Sequence, residues 1–445
     1  MFDKIIQEAD RLLAQGKIQD WVLQAKDTAS QELFFVKDKL DMNRQADTQE
    51  YFLTVYVDAE EEKDGVVVKS RGSASAQFGP DDSEGELAEK IDRAAEEAAY
   101  IKNPWFPLPD NGGETGREMV QSSTIHDFSH KYEDIFQAFF DDREGTAKVN
   151  SAEIFCQDVQ VRLASSQGVR TSYPANLFQF ELVTEAEGKK EPVEVFRIYT
   201  LSGPDADKVR QIVDDQLLET QSRGQAEQAK AMDKVRVMIT GDEVQDFFQM
   251  FKSRLSATSV YNGISKEEPG MAFAHDQKGP EVKDPVSLSL DPFMAHSPYA
   301  VPVDTYGTLL SPYQLLDKGV VENLASSAPH SYYLGMENKG ECPTFKVEGG
   351  SCDLDQAMKE DHLEIIKFSS FDYSPLTGNF GGEFRLAKLV RGGQEKYITG
   401  GSISVNLFKY ADKIIYSKET VQRSRSIAPK AILIDDVQVA GEEAE

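Results

Sequence analysis

Histidine side chains are the first groups in this sequence whose type and spacing could support metal chemistry. His126 and His130 are four residues apart, a spacing that places two imidazoles on one face of a helix. No third ligand follows at a matching distance, so the pattern favours surface or structural roles for this pair. His275, His296 and His330 fall in a loop-rich region and could line a cleft, although their spacing does not require it.

A second group of candidates is the acidic turn formed by Asp242, Glu243 and Asp246, just ahead of an apolar helical pattern. Carboxylates in the first turn of a helix are stabilised by its dipole, and this structural interpretation is favoured. The functional alternative is a divergent hard-metal site, which usually needs more oxygen ligands than these three residues supply.

Cysteine and serine chemistry is not indicated. Cys156 lies in an apolar run typical of a buried strand, where a cysteine acts as a small apolar side chain. Cys342 and Cys352 are separated by nine residues and have no histidine at ligand spacing, so a zinc knuckle is not predicted. No Gly-x-Ser-x-Gly elbow occurs in the sequence.

The stretch from Phe368 to Leu407 contains three Gly-Gly pairs separated by alternating apolar and polar residues. This pattern is typical of short antiparallel strands joined by tight turns, because glycine readily adopts positive φ. A phosphate-binding loop is the alternative, but no Gly-Lys-Ser/Thr follows any of these pairs. The stretch therefore predicts a β-rich core.

Composition excludes several classes of partner. The 445 residues include 48 basic and 76 acidic side chains, which gives a formal net charge of -28. Nucleic acids and anionic membranes bind basic surfaces, so neither is expected as a partner. No apolar run approaches the roughly 18 residues that a membrane span requires. The first residues form a helical pattern rather than a secretion signal, so we expect a soluble, cytoplasmic protein.

Three segments must position these side chains. The pattern predicts an α+β fold, with N-terminal and central domains of helices and antiparallel sheet over residues 1–109 and 114–232. A β-rich, barrel-like C-terminal domain is predicted over residues 233–445. The linker between the first two domains is placed at Asn103–Gly113, where prolines and glycines prevent a helix from continuing.

Individual elements follow from local patterns. Ser83 and Glu86 form a capping box at the start of a predicted helix, and a further helix is predicted from about Asp205 to Met232. The predicted strands include the following runs: Trp21–Gln24, Glu32–Val36, Tyr51–Val57, Glu153–Cys156, Val159–Ala164, Val286–Leu290 and Tyr299–Val303. The stretch Asn262–Asp291 is predicted to be a long loop, and loops of this length are often functional.

Several motifs, in a shared order along the chain, resemble those of the TldD/PmbA peptidases, a family of two-subunit metallopeptidases. Each motif is weak alone, but their order over most of the chain is specific. The resemblance rests on Val66–Ala76, Val159–Tyr173, Leu288–Pro292, Val303–Gly307, Leu376–Phe380, Ile403–Leu407 and Pro429–Gly441.

Departures from the family pattern fall at the metal site. The catalytic subunits carry a His-Glu-x-x-x-His helix, and the resemblance places Asp242, Glu243 and Phe247 at those three positions. A further family ligand, a cysteine, has no counterpart in Thr420–Pro429. In the motif at Val303–Gly307, Tyr306 replaces an acidic residue. The resemblance therefore implies a chain of the TldE-like, non-catalytic type, with no metal ligands of its own.

The resemblance also implies a partner, a cofactor and a cleft. The expected partner is a TldD-like catalytic subunit, or a second copy of this chain in a dimer, and the expected substrate is a peptide. Zinc is expected in the catalytic partner and no cofactor is expected in this chain. The implied substrate-cleft residues are Asp304, Gly307, Gly378, Asn379 and Asn406.

Two alternatives remain open at this point. The chain could be a self-sufficient, divergent metal-dependent peptidase, in which Glu243 would be the catalytic residue together with loop histidines. It could also be a homodimeric peptide-binding module without proteolysis.

Overall fold

The computed structural model of the chain describes residues 1–110, 119, 121–189 and 191–442. Helices make up 22% and strands 43% of the mixed fold, which confirms the predicted α+β class. Residues 111–113 of the predicted linker and residues 443–445 lie outside the described residues.

The sequence predicted the start of one helix correctly and placed the end of another too late. The predicted capping box is present at Ser83, whose side chain accepts from the Glu86 N–H. The helix predicted to reach Met232 instead ends at Gln225, and a strand begins at Met232. The helices are α1 Phe2–Ala14, α2 Glu84–Tyr100, α3 Thr124–His130, α4 Tyr132–Phe140, α5 Ala206–Gln225, α6 Glu243–Arg254, α7 Ala257–Tyr261, α8 Ala328–Tyr333 and α9 Leu354–Ala357.

The strands are longer in the first half of the chain than in the second. In the first half they are β1 Asp20–Val36, β2 Lys39–Lys63, β3 Val66–Phe78, β4 Asn103–Pro104, β5 Lys148–Ser165, β6 Arg170–Pro174, β7 Leu177–Ala186 and β8 Val193–Leu201. In the second half they are β9 Glu227–Gln228, β10 Met232–Ile239, β11 Leu288–Leu290, β12 Tyr313–Asp317, β13 Val320–Val321, β14 Phe345–Val347, β15 His362–Phe368, β16 Asp372–Tyr373, β17 Asn379–Arg391, β18 Gln394–Thr399, β19 Gly401–Asn406, β20 Ile414–Tyr416, β21 Thr420–Gln422, β22 Ser426–Pro429 and β23 Ile432–Ala440.

Two predicted pairs of short strands are single long strands. The runs predicted at Trp21–Gln24 and Glu32–Val36 are both part of β1, and those at Glu153–Cys156 and Val159–Ala164 are both part of β5. The polar residues between the runs hid this continuity, because they are held by ladder hydrogen bonds rather than by apolar burial.

One antiparallel sheet joins the N-terminal and central segments. Its order is β4-β3-β2-β1-β5-β7-β8, and β6 pairs with β5. Strand β1 pairs with β2 on one side and with β5 on the other, from Val22 to Val36. The predicted division between residues 109 and 114 remains a prediction about folding units, although a single sheet crosses it.

Helices cover one face of this sheet in two cores. Helices α1 and α2 pack Ile5, Leu12 and Leu87 over the first half of β1, around Trp21. Helices α3, α4 and α5 pack over the second half of β1, around Phe35. On the opposite face, side chains of β5 and β6 contact the 301–333 segment of the C-terminal half.

The C-terminal half contains a closed barrel of five strands, as the predicted barrel-like domain requires. The strand order is β15-β10-β23-β19-β17, and β15 also pairs with β17 to close the barrel. A separate sheet, ordered β13-β12-β11-β14-β22-β21, lies in the same half of the chain. The strand predicted at Tyr299–Val303 is not formed; Val303 makes only an isolated bridge to Leu309.

No helix of the described residues is long and apolar enough to cross a membrane.

Candidate functional site

Helix α6 begins directly after barrel strand β10 and carries the acidic turn singled out in the sequence. Asp242, Gln245 and Asp246 line a cavity of about 940 Å³. The walls come from β8 and α5 on one side and from the barrel and the β21–β22 connection on the other. The start of α6 therefore presents its polar side to a cleft between the two halves of the molecule.

The opposite side of α6 is apolar and belongs to the barrel core. Val244, Phe247, Phe248 and Phe251 are buried there, as their helical spacing predicts. The Phe247 ring lies 4.9 Å from that of Phe380, centroid to centroid. Position 247, which the resemblance aligns with the second histidine of the catalytic subunits, thus faces the core and not the cavity.

Glu243 is held by an ion pair within the chain. Its side chain is 6% exposed, and its Oε1 lies 2.8 Å from the Lys367 Nζ on strand β15. The turn that precedes it requires glycine at Gly241, where φ is +79° and a Cβ would lie 3.1 Å from Glu243 Oε2. The carboxylate is therefore fixed toward the lysine by the local backbone and by its partner.

Arg423 supplies a second positive charge to the acidic turn. Its Nε donates to the Gly241 carbonyl at 2.8 Å. Burial lowers the pKa of Arg423, while Asp242, Glu243 and Asp246 act to raise it, so the guanidinium lies within their field. Burial also raises the pKa of Asp246, and the negative charges of Glu243 and Asp242 raise it further. The positive charges of Lys367 and Arg423 act in the opposite direction and lower the pKa of Asp246.

The segment that carries Arg423 is tied to α6 by hydrogen bonds. The Gln245 Oε1 accepts from the Arg425 N–H and from the Ser426 hydroxyl, each at 3.1 Å. The segment Thr420–Pro429, where the catalytic subunits would carry a cysteine ligand, therefore does lie beside the first turns of α6. It brings arginine to this place and no thiol.

Asp304 and Gly307, two of the predicted cleft residues, form one tight turn. The Asp304 Oδ1 accepts from the Tyr306 and Thr308 N–H groups, both at 2.9 Å. Gly307 has φ of +93°, and a Cβ there would lie 3.5 Å from Val169, in the connection between β5 and β6. Burial raises the pKa of Asp304, although these N–H groups act to lower it. The Val303–Gly307 motif therefore forms this turn, and its residues 303–306 also line a second cavity, of about 620 Å³.

Gly378, Asn379 and Asn406 are brought together at one end of the barrel. Asn379 pairs with Asn406 across strands β17 and β19. The Asn406 Nδ2 donates to Asn379 Oδ1 at 2.7 Å and to the Thr377 carbonyl at 2.8 Å. Gly378 lies against the Phe408 ring, where a Cβ would come within 2.5 Å. These three residues line neither of the two cavities described above, so the predicted cleft residues form two separate groups.

The histidines are dispersed. The His126 and His130 rings on α3 lie with their centroids 4.2 Å apart and tilted by 35°, at the surface as predicted. His296 lines the larger cavity, and His330 lines an aromatic pocket elsewhere. In the parts of the chain that the structure describes, no group of three or more His, Cys, Asp or Glu side chains is placed to hold a metal ion.

Three residues of the site were not found from the sequence: Lys367, Arg423 and Gln245. Lys367 and Arg423 are far from Glu243 along the chain. The pairing of β10 with β15 brings Lys367 to α6, and the β21–β22 connection of the separate sheet brings Arg423 there. Gln245 carried a weak signal, because it lies on the same side of the helix as Asp242.

Comparison with known protein families gives a match to the C-terminal half of the chain. Residues 232–441 match the family model described as the PmbA/TldA metallopeptidase C-terminal domain. No curated protein matches the chain by sequence.

Solved structures share the whole fold. A candidate modulator of DNA gyrase from Thermotoga maritima MSB8 aligns with a TM-score of 0.74 at 14% identity, covering 99% of this chain and 100% of the other. TldE from Thermococcus kodakarensis aligns with a TM-score of 0.73 at 15% identity, covering 98% and 100%. A candidate modulator of DNA gyrase from Bacteroides thetaiotaomicron VPI-5482 aligns with a TM-score of 0.76 at 14% identity, covering 99% and 98%.

At these identities the structural likeness establishes the fold of the chain and nothing further. Residues 232–441 belong to the PmbA/TldA metallopeptidase C-terminal domain family.

Proposed function

We propose that this chain is the non-catalytic, TldE-like subunit of a TldD/TldE-type peptidase that degrades or matures peptides. The observation that carries the proposal is the ion pair of Glu243 with the chain's own Lys367, with the Arg423 guanidinium beside the same acidic turn. A TldD-like subunit would supply the metal site, and this chain would form part of the channel that holds the peptide.

The residues at the start of α6 do not fit a zinc ion. Zinc sites in proteins use cysteine, histidine and carboxylate ligands in a tetrahedral arrangement. Here one aligned position is Phe247 in the core, and Glu243 is already paired with Lys367 at 2.8 Å. A divalent cation beside these carboxylates would also be repelled by Lys367 and Arg423. This supports a chain that relies on a partner for catalysis.

The test is reconstitution with a TldD-like protein that has an intact His-Glu-x-x-x-His motif. We expect the two chains to purify together, and peptide hydrolysis to be greater for the pair than for the partner alone. Zinc should be found at the partner's stoichiometry, and a chelator should abolish the activity of the pair. Equal hydrolysis with and without this chain would overturn the proposal.

A matched variant separates the alternatives. The double variant Glu243→Gln/Lys367→Met removes the carboxylate and its partner together, and hydrolysis by the reconstituted pair should be unchanged. If the isolated chain binds zinc stoichiometrically and loses peptidase activity in this variant, it is a self-sufficient metallopeptidase. If it forms a symmetric dimer that binds peptides and ignores the TldD-like protein, it is a binding module.

A further inference from the structure

The second cavity, of about 620 Å³, lies beside the C-terminal half of α6. Its lining includes Lys252, Ser253 and Ser256 from α6 and the residues that follow, Glu341, and Arg425 from the β21–β22 connection. Leu163 and Tyr173 of the first sheet complete a wall on the opposite side. The cavity is thus distinct from the larger one at the start of the same helix.

Lys252 is a half-buried cation that forms no ion pair with any residue that the structure describes. Among the described residues, no hydrogen bond and no carboxylate within 4.0 Å reaches its ammonium group. Its Nζ lies 6.0 Å from the centroid of the Phe345 ring. Removing an ammonium from water without a partner is unfavourable, and burial lowers the pKa of Lys252 accordingly.

Arg425 brings a second cation to the same cavity. Its guanidinium lies over the Tyr299 ring at 4.0 Å from the centroid, and only its backbone N–H is tied to α6. The electrostatic effect of Arg425 on Lys252 is repulsive. Two cations that line one cavity and make no ion pair in the described part of the chain are typical of a site that binds an anion.

Two carboxylates also belong to this cavity. The Asp304 Oδ1 is engaged by its turn, and the carboxyl group is buried in the wall. Glu341 is exposed and attracts Lys252, but makes no ion pair within 4.0 Å of it. A ligand that carries a carboxylate at one end and an ammonium group at the other would complement both signs of charge.

We propose that this cavity binds a free carboxylate of a short peptide, with Lys252 as its ion-pair partner and Arg425 as the second cation. The choice of a peptide as carrier of the carboxylate rests on the proposed function; the anion site itself rests on the geometry. A ligand carboxylate that accepts a hydrogen bond from the Lys252 ammonium group would form an ion pair with it and offset the desolvation free energy of that group.

Calorimetric titration of the full chain with trialanine and with trialanine amide tests the proposal. We expect the free acid to bind about tenfold or more tightly than the amide, as loss of one charge-assisted hydrogen bond implies. An amidated Ala-Asp-Ala peptide distinguishes a side-chain carboxylate from a C-terminal one. If neither carboxylate peptide binds more tightly than trialanine amide, the proposal is wrong.

Variants assign the carboxylate to Lys252. Lys252→Gln should weaken binding of the carboxylate peptide by about tenfold, and Lys252→Arg should restore most of it. Lys266→Gln, which removes an exposed lysine outside the cavity, is the control and should bind as the parent does. An equal loss in the control and in Lys252→Gln would overturn the assignment.

Thermal unfolding without ligand separates binding from structure. A lysine kept for ligand binding contributes no stability, so Lys252→Gln should unfold at the same temperature as the parent or higher. A lower unfolding temperature would indicate a structural role and overturn the proposal. Co-purification of Lys252→Gln with a TldD-like protein should persist, so failure of the anion site and failure of the subunit role remain distinguishable.

Discussion

At the residue scale, the acidic turn of α6 is governed by the Lys367–Glu243 pair. Glu243 is 6% exposed and Lys367 29%, so the pair is largely removed from water. A carboxylate buried without a partner retains its desolvation cost, whereas removal of both charges leaves no such cost. The stability of this turn therefore depends on both members being present or both being absent.

We expect Lys367→Met to lower the free energy of unfolding by about 1–3 kcal/mol, because it leaves the Glu243 carboxylate unpaired. Adding Glu243→Gln should recover most of that loss. Urea unfolding of the parent, the two single variants and the double variant gives the coupling between the residues.

The control for this cycle is an exposed ion pair. Lys17 and Asp92 lie 2.6 Å apart with side chains 49% and 37% exposed. Lys17→Met should change stability by no more than about 0.5 kcal/mol, as is usual for surface pairs. Strictly additive losses in the Lys367 cycle would mean that the pair does not hold the turn.

The sequence singled out Glu243 but not its partner. Carboxylates at a helix start are visible as a local pattern, whereas Lys367 reaches the turn only through the parallel pairing of β10 with β15. The same limit applies to Arg254, which is fully buried and bonded to Glu267. That ion pair anchors the predicted 262–291 loop to α6, a contact that no local pattern indicated.

At the element scale, the glycine-rich stretch from 368 to 407 formed the strands that its alternation predicted. Strands β17, β18 and β19 are antiparallel neighbours, and Gly392 and Gly393 make the turn between two of them. The glycines nevertheless serve different purposes. Some only permit positive φ, whereas others also lie where no side chain fits.

Two alanine substitutions separate these purposes. Gly392 has φ of +59° with no atom within 4 Å of a Cβ, so Gly392→Ala should cost about 1–2 kcal/mol of conformational strain. Gly378 has φ of +72° and a Cβ there would lie 2.5 Å from the Phe408 ring. Gly378→Ala should therefore cost about 1–3 kcal/mol more, from overpacking.

Chemical denaturation of both variants checks this difference. Equal destabilisation would mean that the Phe408 ring moves aside freely. It would also mean that the packing of Gly378 against Phe408, whose N–H donates to the Asn406 Oδ1, does not stabilise this end of the barrel.

At the scale of the whole molecule, the sequence predicted the fold class and the barrel-like C-terminal half, but not which strands pair. Pairing of β1 with β5 joins residues more than a hundred positions apart, and only the completed sheet specifies it. The apolar runs at the two ends of β1 suggested two strands because they serve two cores. Trp21 belongs to the core under α1 and α2, and Phe35 to the core under α3, α4 and α5.

This shared strand leads to a prediction about the first two predicted domains. Unfolding of either core requires β1 to separate from β2 or from β5. That separation leaves the backbone of β1 unpaired along one edge and also exposes the β1 side chains that belong to the other core. We therefore expect residues 1–109 and 114–232 to unfold as one cooperative unit.

Hydrogen exchange of the full chain at increasing urea, followed by mass spectrometry, would report on peptides from β2 and β7, which lie on opposite sides of β1 and β5. Their slowest amides should show the same opening free energy and the same urea dependence. Separate openings of β2 and β7 would instead show that the boundary near residue 110 divides two folding units, despite the continuous sheet.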